Sequence, residues 1–138
     1  MKVFLDTNVF LDMLISRENE KDNENALIIL KLSRSGQFEF CISPVTVANS
    51  LYCLRKTADS VDRIKSRLET ISVEKMDGKD VCFALDSNLP DKEDAMQMSC
   101  AVNSDCALIL TRDSRHFLNS PLPCFTPAEF LERLRAVV

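Results

Sequence analysis

The stretch Met1–Leu14, MKVFLDTNVFLDML, decides the fold of this chain. Its apolar run Lys2–Leu5 ends in Asp6, and helical spacing of apolar residues begins directly afterwards. This order is typical of a buried parallel strand that delivers a carboxylate to its C-terminal end, with Thr7 predicted to cap the following helix. In open α/β sheets, ligands bind in the crevice at the carboxyl ends of the strands. Asp6 is therefore a candidate functional residue, although Asp is also common in turns for structural reasons alone.

The size and composition of the chain indicate one ordinary globular domain. Its 138 residues are enough to bury a sizeable core, and 46% apolar with 28% charged residues is a common balance. No apolar run approaches the ~18 residues of a membrane span. Asp6 and Asp12 interrupt the apolar N-terminus, which argues against a signal peptide. We therefore expect a single domain over residues 1–138, in the cytoplasm and without a membrane partner.

Net charge and glycine content limit the kinds of phosphate site that the chain can form. A net charge of −4 argues against a broad positive surface that binds nucleic acid, but not against a local site that binds phosphates through a metal ion. Gly36 and Gly78 are the only two glycines, so the chain has no Gly-rich loop of the P-loop or dinucleotide-binding type.

The six cysteines form neither a C-x-x-C pair nor a set with the spacing of zinc ligands. Most of them sit inside apolar runs. We expect free thiols that pack as small hydrophobic side chains, rather than disulfides or metal ligands. The residues predicted to be free and mostly buried are Cys41, Cys53, Cys100 and Cys106.

Short apolar runs alternate with helical patterns along the chain. After the first strand, strands are predicted at Phe38–Ile42, Ile71–Val73, Ala107–Leu110 and, as an edge strand, Pro121–Phe125. Helices are predicted over Val9–Ile15, Asn25–Ser35, from Pro44 to Leu54, Ser60–Thr70, Val81–Leu85, Asp91–Asn103 and from Pro127 to Val137, with a polar break over Arg17–Asn23. This alternation predicts a parallel sheet with helices on both faces.

Acidic residues fall at comparable points of this scheme. Asp6 ends the first strand, Asp113 follows the fourth, and Asp91, Glu93 and Asp94 lie at the start of a helix. Because a parallel sheet gathers strand ends along one edge, we expect these carboxylates to converge. Such a cluster raises its own pKa values unless a cation neutralises it, and Mg²⁺ or Mn²⁺ suits oxygen ligands. Asp91 and Glu93 are explained equally well as favourable charges at a helix N-terminus.

Four motifs follow one another over nearly the whole chain: LDTNVFLDML, ISPVTVANSLYCLRK, PDKEDAMQMSCAV and LILTRDSRHF. Together and in this order they resemble the PIN domain family, in its VapC toxin type. The resemblance implies a PIN-like fold with a central parallel sheet of about five strands and helices on both faces. It also implies metal-dependent RNA cleavage, with Asp6, Asp94 and Asp113 as catalytic metal ligands for Mg²⁺ or Mn²⁺. Asn49 and Glu93 are further candidate ligands.

One position departs from the family's pattern. PIN nucleases usually carry Glu in the helix after the second strand, where this chain has Asn49. An amide oxygen can bind a metal, but it has no charge and cannot accept a proton. The substitution predicts weaker metal binding or weaker activation of water, which Asp12, Asp91 or Glu93 could offset in part. His116, at a position that is acidic in some relatives, is predicted to be a surface or phosphate-contacting residue rather than a catalytic base.

Three functions compete on this sequence. The leading hypothesis is a Mg²⁺- or Mn²⁺-dependent endoribonuclease, the toxin of a toxin–antitoxin pair or a relative of one, with RNA as substrate, an antitoxin as partner and a homodimeric assembly. Arg112 and Arg115 are the candidate RNA-binding residues, since they flank Asp113. The alternative is a catalytically weakened PIN domain that binds RNA or a protein without cleavage, which Asn49 favours. A phosphotransfer module is disfavoured, because Asn8 stands where a haloacid dehalogenase has its second Asp and the further acidic pair and late lysine of a response receiver are not evident.

Overall fold

The structure, a computed structural model, describes residues 1–16, 19–117 and 119–137. Its strands are β1 (Lys2–Leu5), β2 (Glu39–Ile42), β3 (Ile71–Val73), β4 (Leu108–Leu110) and β5 (Cys124–Phe125). Neighbouring strands are all parallel, and they form one five-stranded sheet in the order β3-β2-β1-β4-β5. The prediction of a central parallel sheet of about five strands is confirmed.

Helical segments follow every strand. The described ranges contain α1 (Thr7–Leu14), α2 (Glu20–Ser35), α3 (Pro44–Cys53), α4 (Ser60–Arg67), α5 (Gly78–Asp86), α6 (Lys92–Asn103), α7 (Pro127–Val137) and a short 3₁₀ helix at Ser114–Phe117. None of these helices combines the length with the apolar content that crossing a membrane requires.

Alternate residues of β1 face the two sides of the sheet, and both sides are buried. Val3 and Leu5 pack in the larger core cluster, which includes Ile29 of α2. Phe4 packs on the other side, in a smaller cluster with Met98 of α6. Because a central parallel strand is covered on both faces, its sequence is continuously apolar rather than alternating. Helices therefore lie on both faces of the sheet, as predicted.

Two helices begin earlier than the sequence predicts. Asp6, and not Thr7, caps α1, since the Asp6 Oδ1 accepts a hydrogen bond of 2.8 Å from the backbone N–H of Thr7. α2 begins at Glu20 instead of Asn25, because the Asn19 side chain caps it and acidic residues stabilise its first turn. Residues 17 and 18 of the predicted polar break lie outside the described residues. A polar, capped first turn thus extends a helix beyond its apolar positions.

All six cysteines are free thiols, as predicted. Cys41, Cys100 and Cys106 are buried, and the sulfur atoms of Cys41 and Cys106 lie 3.4 Å apart in the smaller core cluster. Cys53 is exposed, so the prediction that it is buried is wrong. It is the last residue of α3, where Leu51 and Tyr52 are also exposed.

We expect Phe40→Ala to lower the free energy of unfolding by about 3–5 kcal/mol, because it opens a cavity in the larger core. The Phe40 ring is 1% exposed and contacts the rings of Phe38 and Phe130 at centroid distances of 5.9 and 6.2 Å. Urea unfolding measures the loss. Phe83→Ala on α5 is the matched control, because that ring is 48% exposed and should cost less than about 1 kcal/mol. Equal losses in the two variants would contradict this account of the core.

Candidate active site

Asp6 occupies the carboxyl end of the central strand and is held there by hydrogen bonds. Its backbone N–H donates to the carbonyl of Leu110 at the end of β4, over 2.9 Å. One carboxylate oxygen accepts from the backbone N–H of Thr7, and the other accepts from the Thr111 hydroxyl at 2.9 Å. The residue is 4% exposed. Burial raises the pKa of this carboxyl above its ordinary value, and the hydrogen bonds from Thr111 and Thr7 only partly oppose that rise.

Asp94 faces Asp6 from the first turn of α6. The Asp91 side chain caps this helix by accepting hydrogen bonds from the backbone N–H groups of Glu93 and Asp94. Burial, followed by the negative charges of Asp6 and Asp91, raises the pKa of Asp94 to about 7. Ligand atoms of Asp6, Asp94 and His116 all lie within 4.8 Å of one another. We call these three residues the acidic cluster.

His116 lies between two of the predicted catalytic acids. Its Nδ1 is 3.9 Å from an Asp94 oxygen, and its Nε2 is 3.9 Å from an Asp113 oxygen. The side chain is 46% exposed. The 3₁₀ helix that follows β4 carries the imidazole to this position. His116 is therefore part of the cluster as well as a partly exposed residue.

Asp113 is hydrogen-bonded to Arg115 and reaches the acidic cluster through His116. The Arg115 guanidinium forms a fork on the carboxylate, with 2.9 Å from Nε to Oδ1 and 2.7 Å from Nη2 to Oδ2. This hydrogen-bonded partner holds the pKa of Asp113 well below its usual range. The negative charge of Asp113 is thus compensated within the protein, unlike the charges of Asp6 and Asp94.

Arg112 links the loop after β4 to two helices. Its guanidinium lies 3.1 Å from a carboxylate oxygen of Asp22 in α2 and 3.6 Å from one of Asp12 in α1. The Arg112 side chain is 27% exposed, whereas that of Arg115 is 83% exposed. Of the two arginines predicted to contact RNA, Arg115 is the accessible one. Asp12 is buried, and one of its carboxylate oxygens faces Arg112.

Asn49 contacts Glu93 at the position where the family pattern has a glutamate. The Asn49 side-chain amide, on α3, donates a hydrogen bond to a carboxylate oxygen of Glu93 on α6. Glu93 is exposed and neighbours Asp94 in the sequence. Although α3 carries an amide at this position, the contact places the Glu93 carboxylate of α6 beside it.

A buried polar group that the sequence analysis did not identify connects the helices of the site. The Gln97 amide donates to the hydroxyls of Thr7 and Thr46 at 3.0 and 2.9 Å, and its carbonyl accepts from Ser43. Gln97 is 1% exposed. It lies one helical turn after Asp94, so these bonds fix α6 against the starts of α1 and α3. The available sequence signal was a lone glutamine among the apolar residues of that helix.

We expect the stability of the metal-free protein to fall as pH rises from about 4 to 7, because folded Asp94 keeps a proton that the unfolded chain has lost in this window. Asp94→Asn should flatten this dependence and raise the free energy of unfolding at pH 8 by about 1–2 kcal/mol. Urea unfolding at pH 5 and pH 8 in a chelator measures both effects. Asp62→Asn, an exposed carboxyl on α4, is the control. If both variants keep the wild-type dependence, another group carries it.

Gln97→Met should lower the free energy of unfolding by about 1–2 kcal/mol, because it keeps the side-chain volume but removes the acceptor of the buried Ser43 hydroxyl and the donor to the paired Thr7 and Thr46 hydroxyls. Gln37→Met is the matched control, since Gln37 is exposed and its replacement should change stability by less than about 0.5 kcal/mol. Urea unfolding of the two variants compares them. A neutral Gln97→Met would mean that the hydrogen bond between Thr7 and Thr46 satisfies those two hydroxyls and that the Ser43 hydroxyl finds another acceptor.

Solved structures share this fold. A toxin–antitoxin complex from Klebsiella pneumoniae aligns with a TM-score of 0.69 at 19% identity, over 91% of this chain and 97% of that chain. VapBC2 from Rickettsia felis, bound to a promoter DNA fragment, aligns with a TM-score of 0.67 at 14% identity, over 91% and 98%. FitAcB from Neisseria gonorrhoeae aligns with a TM-score of 0.63 at 18% identity, over 91% and 98%.

The sequence comparisons identify the family directly. No curated protein sequence matches the chain significantly. A profile of the PIN domain matches residues 2–115, a span that contains Asp6, Asp94 and Asp113. The four motifs, the sheet and this match agree. The chain belongs to the PIN domain family.

Proposed function

We propose that this protein is a Mg²⁺- or Mn²⁺-dependent endoribonuclease whose residues 1–138 form one PIN domain. The observation that carries the proposal is the pair Asp6 and Asp94, two carboxyls with raised pKa values whose ligand atoms lie within 4.8 Å of each other. The similarity in fold to toxin–antitoxin complexes supports a role as the toxin of such a pair. An antitoxin partner and a homodimeric assembly are part of the proposal.

The donor set of the site fits a hard divalent cation. Two ionised carboxylates at this distance repel each other, and burial adds to the cost of ionising Asp6. A cation with oxygen ligands relieves both effects. Asp6 and Asp94 would hold the ion, with Glu93, Asn49 and Asp113 as the neighbouring oxygen donors. When bound, the ion supplies Lewis-acid polarisation of the phosphodiester and a lower pKa for water.

The residues of the chain orient the substrate and the carboxylates. Asp6 cannot rotate freely, because Thr7 and Thr111 each hold one of its oxygens. His116, between Asp94 and Asp113, is placed to contact a phosphate oxygen or to hold a proton beside the reacting group. Arg115 would share its guanidinium between Asp113 and an RNA phosphate. Arg112 would hold α1 and α2 in place, through Asp12 and Asp22, rather than bind RNA.

The second candidate function is a PIN domain that binds RNA or a protein without cleaving it. Asn49 favours this function, because an amide adds no negative charge to the site. The neutralisation of Asp113 by Arg115 also favours it, since that carboxylate has a cation partner already. The two functions differ in one measurable property, which is metal-dependent cleavage.

We expect wild-type protein to cleave single-stranded RNA with Mn²⁺ or Mg²⁺, and Asp6→Asn to abolish cleavage, because an amide removes a full charge from the site. Gel analysis of the products of a labelled RNA measures this. Asp62→Asn, far from the site on α4, should cleave like wild type. A well-folded wild type that neither binds metal nor cleaves RNA would contradict the nuclease function and favour the binding function.

Asn49→Glu should tighten metal binding by about tenfold, because it adds a carboxylate beside the site. Calorimetric titration with Mn²⁺ measures the affinity. Gln37→Glu adds the same charge at an exposed position after α2 and serves as the control. Unchanged affinity in Asn49→Glu would mean that Glu93 already provides the carboxylate at this point of the site.

A further inference from the structure

A groove extends from the acidic cluster along α5 and α6. It consists of two adjoining cavities of about 550 and 480 Å³, which share Leu89 as a common wall. The first cavity is lined by Asp94 and His116, so it opens directly on the acidic cluster. The second ends at Phe83 on α5. We call the two cavities together the α5–α6 groove.

We propose that the α5–α6 groove binds the bases of the RNA nucleotides next to the scissile phosphate, with Phe83 as a stacking surface. This inference rests on the proposed function, because it assumes that a phosphodiester occupies the acidic cluster. Each cavity falls within the ~300–1,000 Å³ of small-ligand pockets, so each has room for one nucleobase. Phe83 is 48% exposed although it is a large aromatic residue, so about half of its surface is accessible to a ligand.

The lining of the groove suits bases better than phosphates. Its second cavity combines the Phe83 ring and the buried Met98 with the side-chain amides of Asn88 and Asn119. Single-stranded RNA is recognised by stacking of splayed bases on aromatic rings and by hydrogen bonds to base edges, which amides can both donate and accept. Asp86 also lines this cavity. A carboxylate there repels a phosphate but accepts hydrogen bonds from base amino groups.

The cations of the groove lie in the first cavity, beside the acidic cluster. Lys92 and Arg115 line it together with Asp91, and both cations are anchored within the protein. The Lys92 ammonium donates to the Ser87 carbonyl at 2.7 Å, and Arg115 holds Asp113. They therefore place two positive charges at the end where the proposed scissile phosphate lies, beside the carboxylates of Asp91 and Asp94. The groove thus has cations at the end where the phosphate would be cleaved, and aromatic and amide groups further along, where bases of the RNA strand would lie.

Phe83→Ala should raise the KM for cleavage of a mixed-sequence RNA octamer by about tenfold, because one base loses its stacking surface. The kcat should change by less than about twofold, since the acidic cluster is unaltered. Phe83→Tyr keeps the ring and should behave like wild type. Tyr52→Ala removes an exposed aromatic ring on α3, away from the groove, and should also leave KM unchanged. A dinucleotide supplies one base on each side of the scissile phosphate and so fills only the first cavity, and wild type and Phe83→Ala should therefore cleave it equally.

The outcomes separate this inference from the proposed function. If wild type cleaves RNA and Phe83→Ala keeps the wild-type KM for the octamer, the groove inference is wrong and the nuclease function stands. If wild type does not cleave, fluorescence anisotropy with the same octamer tests binding alone, and unchanged affinity in Phe83→Ala overturns the inference. Phe83→Ala could also keep the wild-type KM but lose the wild-type oligomeric state in size-exclusion chromatography. That result would overturn the inference and indicate that the groove binds a second copy of the chain.

Discussion

The hydrogen bonds that hold the Asp6 carboxylate at the end of β1 are the constraint on which the site depends. β1 pairs with a strand on each side, so its end cannot shift without breaking the sheet. The backbone N–H of Thr7 and the Thr111 hydroxyl then fix both carboxylate oxygens. These bonds offset only part of the burial, as the raised pKa of Asp6 indicates. A carboxylate that is held in one position, and whose negative charge is only partly stabilised by hydrogen bonds, is suited to binding a cation.

The buried Gln97 holds the helices around the site in fixed positions relative to one another. One amide can bond several hydroxyls at once, and here it joins residues at the starts of α1 and α3 to α6. Asp94 lies one turn away on α6, so its distance from Asp6 depends on this group. Buried polar networks of this kind specify one arrangement of packed helices, because any shift leaves a buried donor or acceptor unpaired.

Charges at the carboxyl edge of the sheet divide into a compensated and an uncompensated set. Arg112 neutralises acids on α1 and α2, and Arg115 neutralises Asp113. Burial instead raises the cost of ionising Asp6, and burial together with the charge of Asp6 raises the cost of ionising Asp94. Two neighbouring arginines in one loop thus have different roles, since one is largely covered by its partners and the other is exposed.

The sequence by itself determined the order of strands and helices, the buried central strand and the candidate acids, because hydrophobic periodicity and strand-end positions are local properties of the chain. The four motifs also identified the family. Only the tertiary structure decided which acids have a cation partner, that Asn49 meets Glu93, and that Gln97 joins three helices. Apart from the pair Asp113 and Arg115, which are two positions apart, these contacts join residues 44 or more positions apart. Such distances follow from how the helices pack on the sheet, and no local pattern of residues encodes them.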